Sequence, residues 1–185
     1  MILAGIDPSL RNFGMVKGHF ELAQGDFGLD EIKLIETASD NKNKTVRKNS
    51  DDLRRAREIY EGMSAFLKGV NIAFVEIPIG SQSSRAMTSY GICIGLLASL
   101  KVPLIQVTPS EVKLAAVGNK NASKQQMIDW ATDTFPEANW FSHKRGGNVH
   151  YTGKNEHVAD ALAAIFAGAR TDTFQQLLAF QKKIA

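Results

Sequence analysis

The apolar positions along this chain change period several times, and each change predicts an element. Met1 to Ile6 is a short apolar run ending at Asp7. Phe13 to Phe20 and Glu31 to Thr37 alternate apolar and polar residues as half-buried strands do, with the turn formers Gly25, Asp26 and Gly28 between them. Three successive strands, the last two hairpin-linked, predict an antiparallel meander. From Ser50 to Lys68 the period switches: Leu53, Ala56, Tyr60, Met63 and Leu67 recur every three or four residues. That spacing predicts an amphipathic helix, capped by Ser50 or Asp51 and stopped by Gly69.

Ile72 to Ile77 reads as a continuous apolar strand carrying Glu76 near its end, and Pro78-Ile79-Gly80 breaks it. Ser84 to Leu100 predicts a second helix, with Gly91 and Gly95 on one face, and Leu104 to Val107 another strand. Thr108-Pro109-Ser110-Glu111 combines an N-cap, a proline at the first helical position and a glutamate at the third: a capping box. Ser123-Lys124-Gln125-Gln126 repeats the device with glutamine. Asn155 to Ala169 reads as an Ala-rich helix and Thr173 to Ile184 as a last one. The order predicts an α/β domain with a mixed five-stranded sheet, three antiparallel strands then two parallel, flanked by helices. No repeat or composition break marks a second domain, so residues 1–185 read as one.

Composition narrows the classes. With 44% apolar and 22% charged residues among 185, pervasive disorder and collagen-like fibres are excluded. Cys93 is the only cysteine, which excludes an intrachain disulfide and a Cys-rich zinc site and suits a reducing compartment. No apolar run approaches the roughly 18 residues of a membrane span. The N-terminus carries no basic leader, so a mature cytoplasmic protein is expected. The net charge of +3 permits a polyanionic partner, and its distribution says more than its sum. Asn41 to Ser50 holds Lys42, Lys44, Arg47 and Lys48 with no acid. Ala138 to Asn155 holds Lys144, Arg145 and Lys154, also with no acid, beside His143 and His150.

Asp7 and Glu76 each close an apolar strand, where burying an unpaired carboxylate costs several kcal/mol. Either acid alone reads best as a strand-end cap accepting backbone N–H bonds. A third changes the weighing. In Asn155-Glu156-His157-Val158-Ala159-Asp160, His157 shares a helix face with Asp160, but so does Glu156, and spacing does not decide between them. Ala159, Ala161, Ala163 and Ala164 let this helix approach a sheet closely. Carboxylates from two strands and a helix, with one imidazole, suit Mg²⁺ or Mn²⁺. Such sites commonly hydrolyse phosphodiesters with two metals.

Four blocks then become recognisable in order. Gly5-Ile6-Asp7-Pro8-Ser9 with Asn12 and Gly14, then Phe74-Val75-Glu76, then Pro109 to Lys113 through Ala116-Val117-Gly118 and Ser123-Lys124, and last His157-Val158-Ala159-Asp160-Ala161-Leu162-Ala163, resemble the motifs of RuvC-type Holliday-junction resolvases. The likeness spans about residues 1–168. It implies an RNase H-like fold, a homodimer, and paired symmetric nicking of four-way and other branched DNA junctions with two Mg²⁺ per site, Mn²⁺ substituting. Asp7, Glu76, His157 and Asp160 match the catalytic and metal-binding tetrad. Lys113 and Lys124 match basic positions near the junction backbone; Lys120 between them, and Lys144, Arg145 and Lys154 of the second basic run, are further candidate DNA contacts. Residues 38–49 form a longer basic connection than in bacterial members, and Trp140 to Lys154 looks like an insertion. The aromatic that members carry after the second acid is absent, with Ile79 nearest its place. These departures resemble phage-encoded members, and the expected location is the cytoplasm of a bacterial cell.

Bland readings stand beside these. The Trp140 to Lys154 segment reads equally as a DNA grip or as a loop whose aromatics pack on the core. Gly91 and Gly95 allow close helix packing, within the domain or at a dimer interface, and Cys93 reads as inert core. A silent junction binder and an RNase H-like phosphotransferase compete with the nuclease. The first need not keep every carboxylate. The second normally needs a second lobe and a glycine-rich adenosine loop, and neither is visible.

Overall fold

A computed structural model describes residues 1–40 and 47–184. Five strands form one sheet: β1 (Ile2–Asp7), β2 (Asn12–Glu21), β3 (Asp26–Glu36), β4 (Ile72–Glu76) and β5 (Leu104–Val107), in the order β3-β2-β1-β4-β5. β1, β2 and β3 pair antiparallel, while β4 and β5 run parallel to β1. The mixed sheet has the predicted composition. Between and after the strands come α1 (Lys48–Phe66), α2 (Ser84–Ala98), α3 (Pro109–Val117), α4 (Lys124–Thr134), α5 (Asn155–Gly168) and α6 (Asp172–Ile184). Both predicted capping boxes form, at Thr108 with Glu111 and at Ser123 with Gln126. No helix is long and apolar enough to cross a membrane, among the described residues.

Strand alternation splits the core into two layers. Leu3, Val16, Phe74 and Ile105 point to one face, covered by α5 with Val158, Ala159 and Leu162. Ala4, Ile6, Met15 and Val75 point to the other, covered by α1 and α2 through Ile59, Met63, Cys93 and Leu97. Burial pushes the Cys93 thiol up to about 12, as expected of inert core.

Three expectations need correction. The third strand starts at Asp26, not Glu31. The turn is tighter than the Gly25-Asp26-Gly28 cluster suggested, because Gly28 sits inside the strand, where its bare backbone makes room for the His19 ring. α1 begins at Lys48 after Arg47, with no side-chain cap, so neither Ser50 nor Asp51 caps it. Its buried face is also rotated: Leu53 and Tyr60 are exposed, while Asp51, Asp52 and Arg55 are buried. Polar pairing explains this. Arg55 donates to Thr37 Oγ1 at 2.9 Å and to the Leu10 carbonyl at 3.1 Å, and Arg85 grips Asp52 through two contacts of 2.5 and 2.6 Å. Half of the expected basic connection at 38–49, residues 41–46 with Lys42 and Lys44, lies outside the described residues.

The third correction concerns Trp140 to Lys154, which is a β-hairpin rather than a loop: β6 (Ser142–Arg145) pairs with β7 (Asn148–Tyr151). Gly146 and Gly147 make its two-residue turn with φ of 59° and 84°. Trp140 and Phe141 belong to the core at its root, while His143, His150 and Tyr151 are exposed.

Candidate active site

Period two sends Asp7 and Glu76 to the same side of the sheet. Asp7 follows Leu3 and Gly5, and Glu76 follows Ile72 and Phe74, all facing α5. The strands are in register, with Ile6 opposite Val75, one step before the two acids. α5 lies close because two glycines leave space. A Cβ at Gly5 would meet the Ala161 carbonyl oxygen at 1.8 Å, and one at Gly14 would meet that of His157 at 2.3 Å. The first turns of α5 are thereby pressed onto the ends of β1 and β2, which brings in His157 and Asp160.

His157 Nδ1 lies 2.7 Å from Asp7 Oδ2, and its Nε2 lies 3.2 Å from Asn12 Nδ2. In the neutral ring these roles are consistent: Nδ1–H donates to Asp7 and Nε2 accepts from the Asn12 amide. Asn12 stands in the first motif but had no assigned role, and nothing in the spacing of the chain announces the contact. Glu156, the competitor for His157, turns instead to Lys124, whose Nζ lies 2.7 Å from Oε1. The two neighbours that spacing left tied thus have different partners.

The acids are held against their ordinary behaviour. Burial raises the Asp7 carboxyl, outweighing the hydrogen bond and charge of His157. Glu76 is pushed up to about 7 by burial and by the Asp7 charge, with Lys113 pulling the other way. Asp160 reaches about 8, chiefly through burial and then through Asp7, Glu76 and Glu156. Burial pushes His157 down, but its hydrogen bond to Asp7 and the charges of Asp7, Glu156 and Asp160 leave it raised. Asp160 Oδ1 is buried with no hydrogen-bond partner among the described residues.

A hard divalent cation fits this donor set. Carboxylates from β1, β4 and α5 repel one another, and one buried oxygen lacks a donor, which is the deficit an oxygen-seeking cation corrects. Among the described residues no three of these side chains already form a coordinating group. Both ring nitrogens of His157 are also engaged, so in this tautomer its ligation through Nε2 requires the release of Asn12.

The candidate DNA contacts are spread around this centre. Lys113, on α3, is half-buried and close enough for its charge to favour ionised Glu76. Lys124 opens α4 and is tied to Glu156, while Lys154 pairs with Glu36 at 2.6 Å. Lys120 is exposed in the turn after α3, and Lys144 and Arg145 are exposed near the hairpin tip.

No protein-family model matches the chain. It is 31% identical over 136 residues to the crossover junction endodeoxyribonuclease RuvC of Salinibacter ruber, covering 69% of this chain and 68% of that protein. The RuvC protein of Prochlorococcus marinus strain MIT 9303 is 25% identical over 173 residues, covering 91% of this chain and 97% of its own. Among solved structures, Thermus thermophilus RuvC in complex with Holliday junction substrate superposes with a TM-score of 0.64 at 19% identity, covering 91% of this chain and 93% of that one. Fowlpox virus resolvase, solved with Holliday junction DNA, gives 0.53 at 14% identity, covering 96% and 99%. The sheet is thus RNase H-like, and with 31% identity across more than two-thirds of a curated relative, the chain belongs to the RuvC family of crossover junction endodeoxyribonucleases.

Proposed function

We propose that this chain resolves four-way DNA junctions by paired symmetric nicks, with Asp7, Glu76, Asp160 and His157 as its hydrolytic centre. Asp160 carries the argument: a half-buried carboxylate with an orphaned oxygen, pushed up to about 8 between two further acids, is costly unless a cation and a phosphate are to be met there. Asp7, Glu76 and Asp160 would hold divalent cations, Mg²⁺ with Mn²⁺ substituting and two per site, with His157 as a further ligand or as the base for the attacking water. When bound, such cations supply Lewis acidity for phosphodiester hydrolysis.

The protein's own groups do the rest. Asn12 and Asp7 orient the His157 ring, and neutral His157 can take a proton at Nε2 once the Asn12 amide releases it. Lys113, Lys120, Lys124, Lys144, Arg145 and Lys154 would contact the DNA, the lysines at its phosphates, with Lys124 and Lys154 first leaving their acidic partners. Other branched DNAs fall within the same chemistry. Two nicks related by symmetry need two such sites, hence a homodimer. The test is a nicking assay on a four-way junction. Activity should require Mg²⁺ and vanish with chelator and in Asp7→Asn, while that variant binds the junction as tightly as before or tighter. Metal-independent or undiminished cleavage would remove the assignment.

A further inference from the structure

The β6–β7 hairpin has the features of an element built to be covered by something other than this chain. All eight of its strand residues are exposed. An isolated two-stranded hairpin is marginal in water, and this one buries none of its own side chains to offset its ordering. Its root, by contrast, is clamped. Asn155 is fully buried, and its side chain closes two hydrogen bonds on the backbone of Phe141: Oδ1 accepts from the N–H at 2.9 Å and Nδ2 donates to the carbonyl at 2.8 Å. The Thr152 N–H adds a third bond to that carbonyl at 2.9 Å, and Trp140 Nε1 donates to the Phe135 carbonyl at 2.8 Å. Asn155 opens α5 two residues before His157, so the ribbon is fixed to the helix that carries half of the candidate site.

The pairing register sorts its side chains. His143 faces His150 and Arg145 faces Asn148, so these four share one face; Ser142, Tyr151, Lys144 and Val149 share the other. The first face holds hydrogen-bonding groups alone. Its two imidazoles stack with centroids 5.7 Å apart at 23°, which presents their edges side by side. No acid lies between Ala138 and Asn155. A four-residue ribbon is about 13 Å long, and the DNA major groove, about 12 Å wide, admits a two-stranded β-ribbon. Arginine and asparagine are the side chains that read guanine and adenine edges there.

We propose that this hairpin lies in the major groove of one duplex arm of the junction, where His143, Arg145, Asn148 and His150 read base edges and set a sequence preference beside the cleavage point. This rests on the junction-binding reading above and adds a specificity surface to it. The rigid root means that the preferred bases hold a fixed register to His157. Lys144, on the opposite face, supplies affinity without sequence information.

The experiment selects bound junctions from a library with randomised arms and sequences them, for the unaltered chain and three variants. The unaltered chain should enrich particular base pairs over a run of about four. Arg145→Ser should cut that enrichment about tenfold, and the combined His143→Thr, Arg145→Thr, Asn148→Thr and His150→Thr variant should erase it, both still binding junctions. Lys144→Thr should weaken binding with the preference kept. The same preference in Arg145→Ser as in the unaltered chain, or no arm preference in an unaltered chain that does bind junctions, overturns the hairpin's role and leaves the nuclease reading intact. Failure of the unaltered chain to bind junctions overturns both.

Discussion

His157 and Asp7 are 150 positions apart in the chain and 2.7 Å apart in space, joined through Nδ1 and Oδ2. Asn12 occupies the opposite ring nitrogen at 3.2 Å. These two contacts suit the neutral ring, and protonation sets a second N–H against the Asn12 amide. The Asp7 hydrogen bond and nearby acids nonetheless raise the histidine's pKa above its ordinary value. Nicking should therefore fall as pH drops through the His157 pKa, since imidazolium neither ligates a cation nor accepts a proton. His157→Asp should move that acid limb to lower pH. Asn12→Ala, by removing a donor that favours the neutral ring, should move it to higher pH. Rate–pH profiles in Mg²⁺ for the three proteins decide this, and an unmoved limb in Asn12→Ala would mean that the amide does not set the ring's state.

Without metal, the same cluster makes stability depend on pH. Asp7, Glu76 and Asp160 have folded-state pKa values above their ordinary ones, Glu76 at about 7 and Asp160 at about 8. Stability from keeping them protonated is therefore fully present below about pH 4 and is lost as pH rises through 7 and 8. The raised His157 acts in the same direction, its contribution fading above its folded pKa. In chelator, melting should fall by roughly 5–10 °C between pH 6 and 9, a loss on the order of a few kcal/mol. Added Mg²⁺ should restore it. Asp160→Asn should flatten the curve and gain about 1–3 kcal/mol at the alkaline end. A melting temperature that rises over this range in chelator would contradict the mutual repulsion.

Much of this arrangement was legible in the sequence because strand alternation and capping are local. The runs ending in Asp7 and Glu76 mark both acids as strand-end residues, while their shared face depends on the register of β1 with β4. Glu156 against His157 was not legible, since positions three and four apart on a helix both face Asp160. The choice turns on Lys124, which reaches Glu156 from a different helix. The buried face of α1 is hard to read for a similar reason: Arg55 and Asp52 are polar by type but buried through Thr37, just past β3, and Arg85 on α2. The hairpin is hard to read because Ser142 to Arg145 carries no apolar residue, leaving only the alternation of Val149 and Tyr151 and the Gly146-Gly147 pair as signals.

Gly5 and Gly14 set how closely α5 can lie on the sheet. At both positions an added methyl group meets a backbone carbonyl of α5, which cannot swing away as a side chain would. Gly5→Ala should therefore lift the helix and cost roughly 2–4 kcal/mol, read from urea unfolding. Gly14→Ala presses on His157 itself, so its nicking rate should fall at temperatures where the protein is still folded. Unchanged stability in Gly5→Ala would mean that α5 does not sit as close as these contacts require.

The proposed dimer has a candidate face on α2. Met87, Gly91, Ile94, Gly95 and Ala98 are exposed along one side of that helix, and a Cβ at Gly91 or Gly95 meets nothing within 4 Å. Gly91 and Gly95 therefore make no close packing within the described monomer, whereas Ile92 and Leu96 beside them pack on its core. An exposed strip of small and apolar residues is suited to close approach by a second copy, whose backbone can come nearest where the glycines lie. Gly95→Leu separates the effects. Within one chain the larger side chain has open space and improves helix propensity, so monomer stability should hold or rise by about 0.5–1 kcal/mol. Between two chains it stands in the contact, so the dimer should dissociate. Sedimentation equilibrium should show dimers for the unaltered chain and monomers for Gly95→Leu at the same micromolar concentration. On a four-way junction the variant should leave single nicks where the unaltered protein makes pairs. Dimers of undiminished affinity in Gly95→Leu would move the interface off this face.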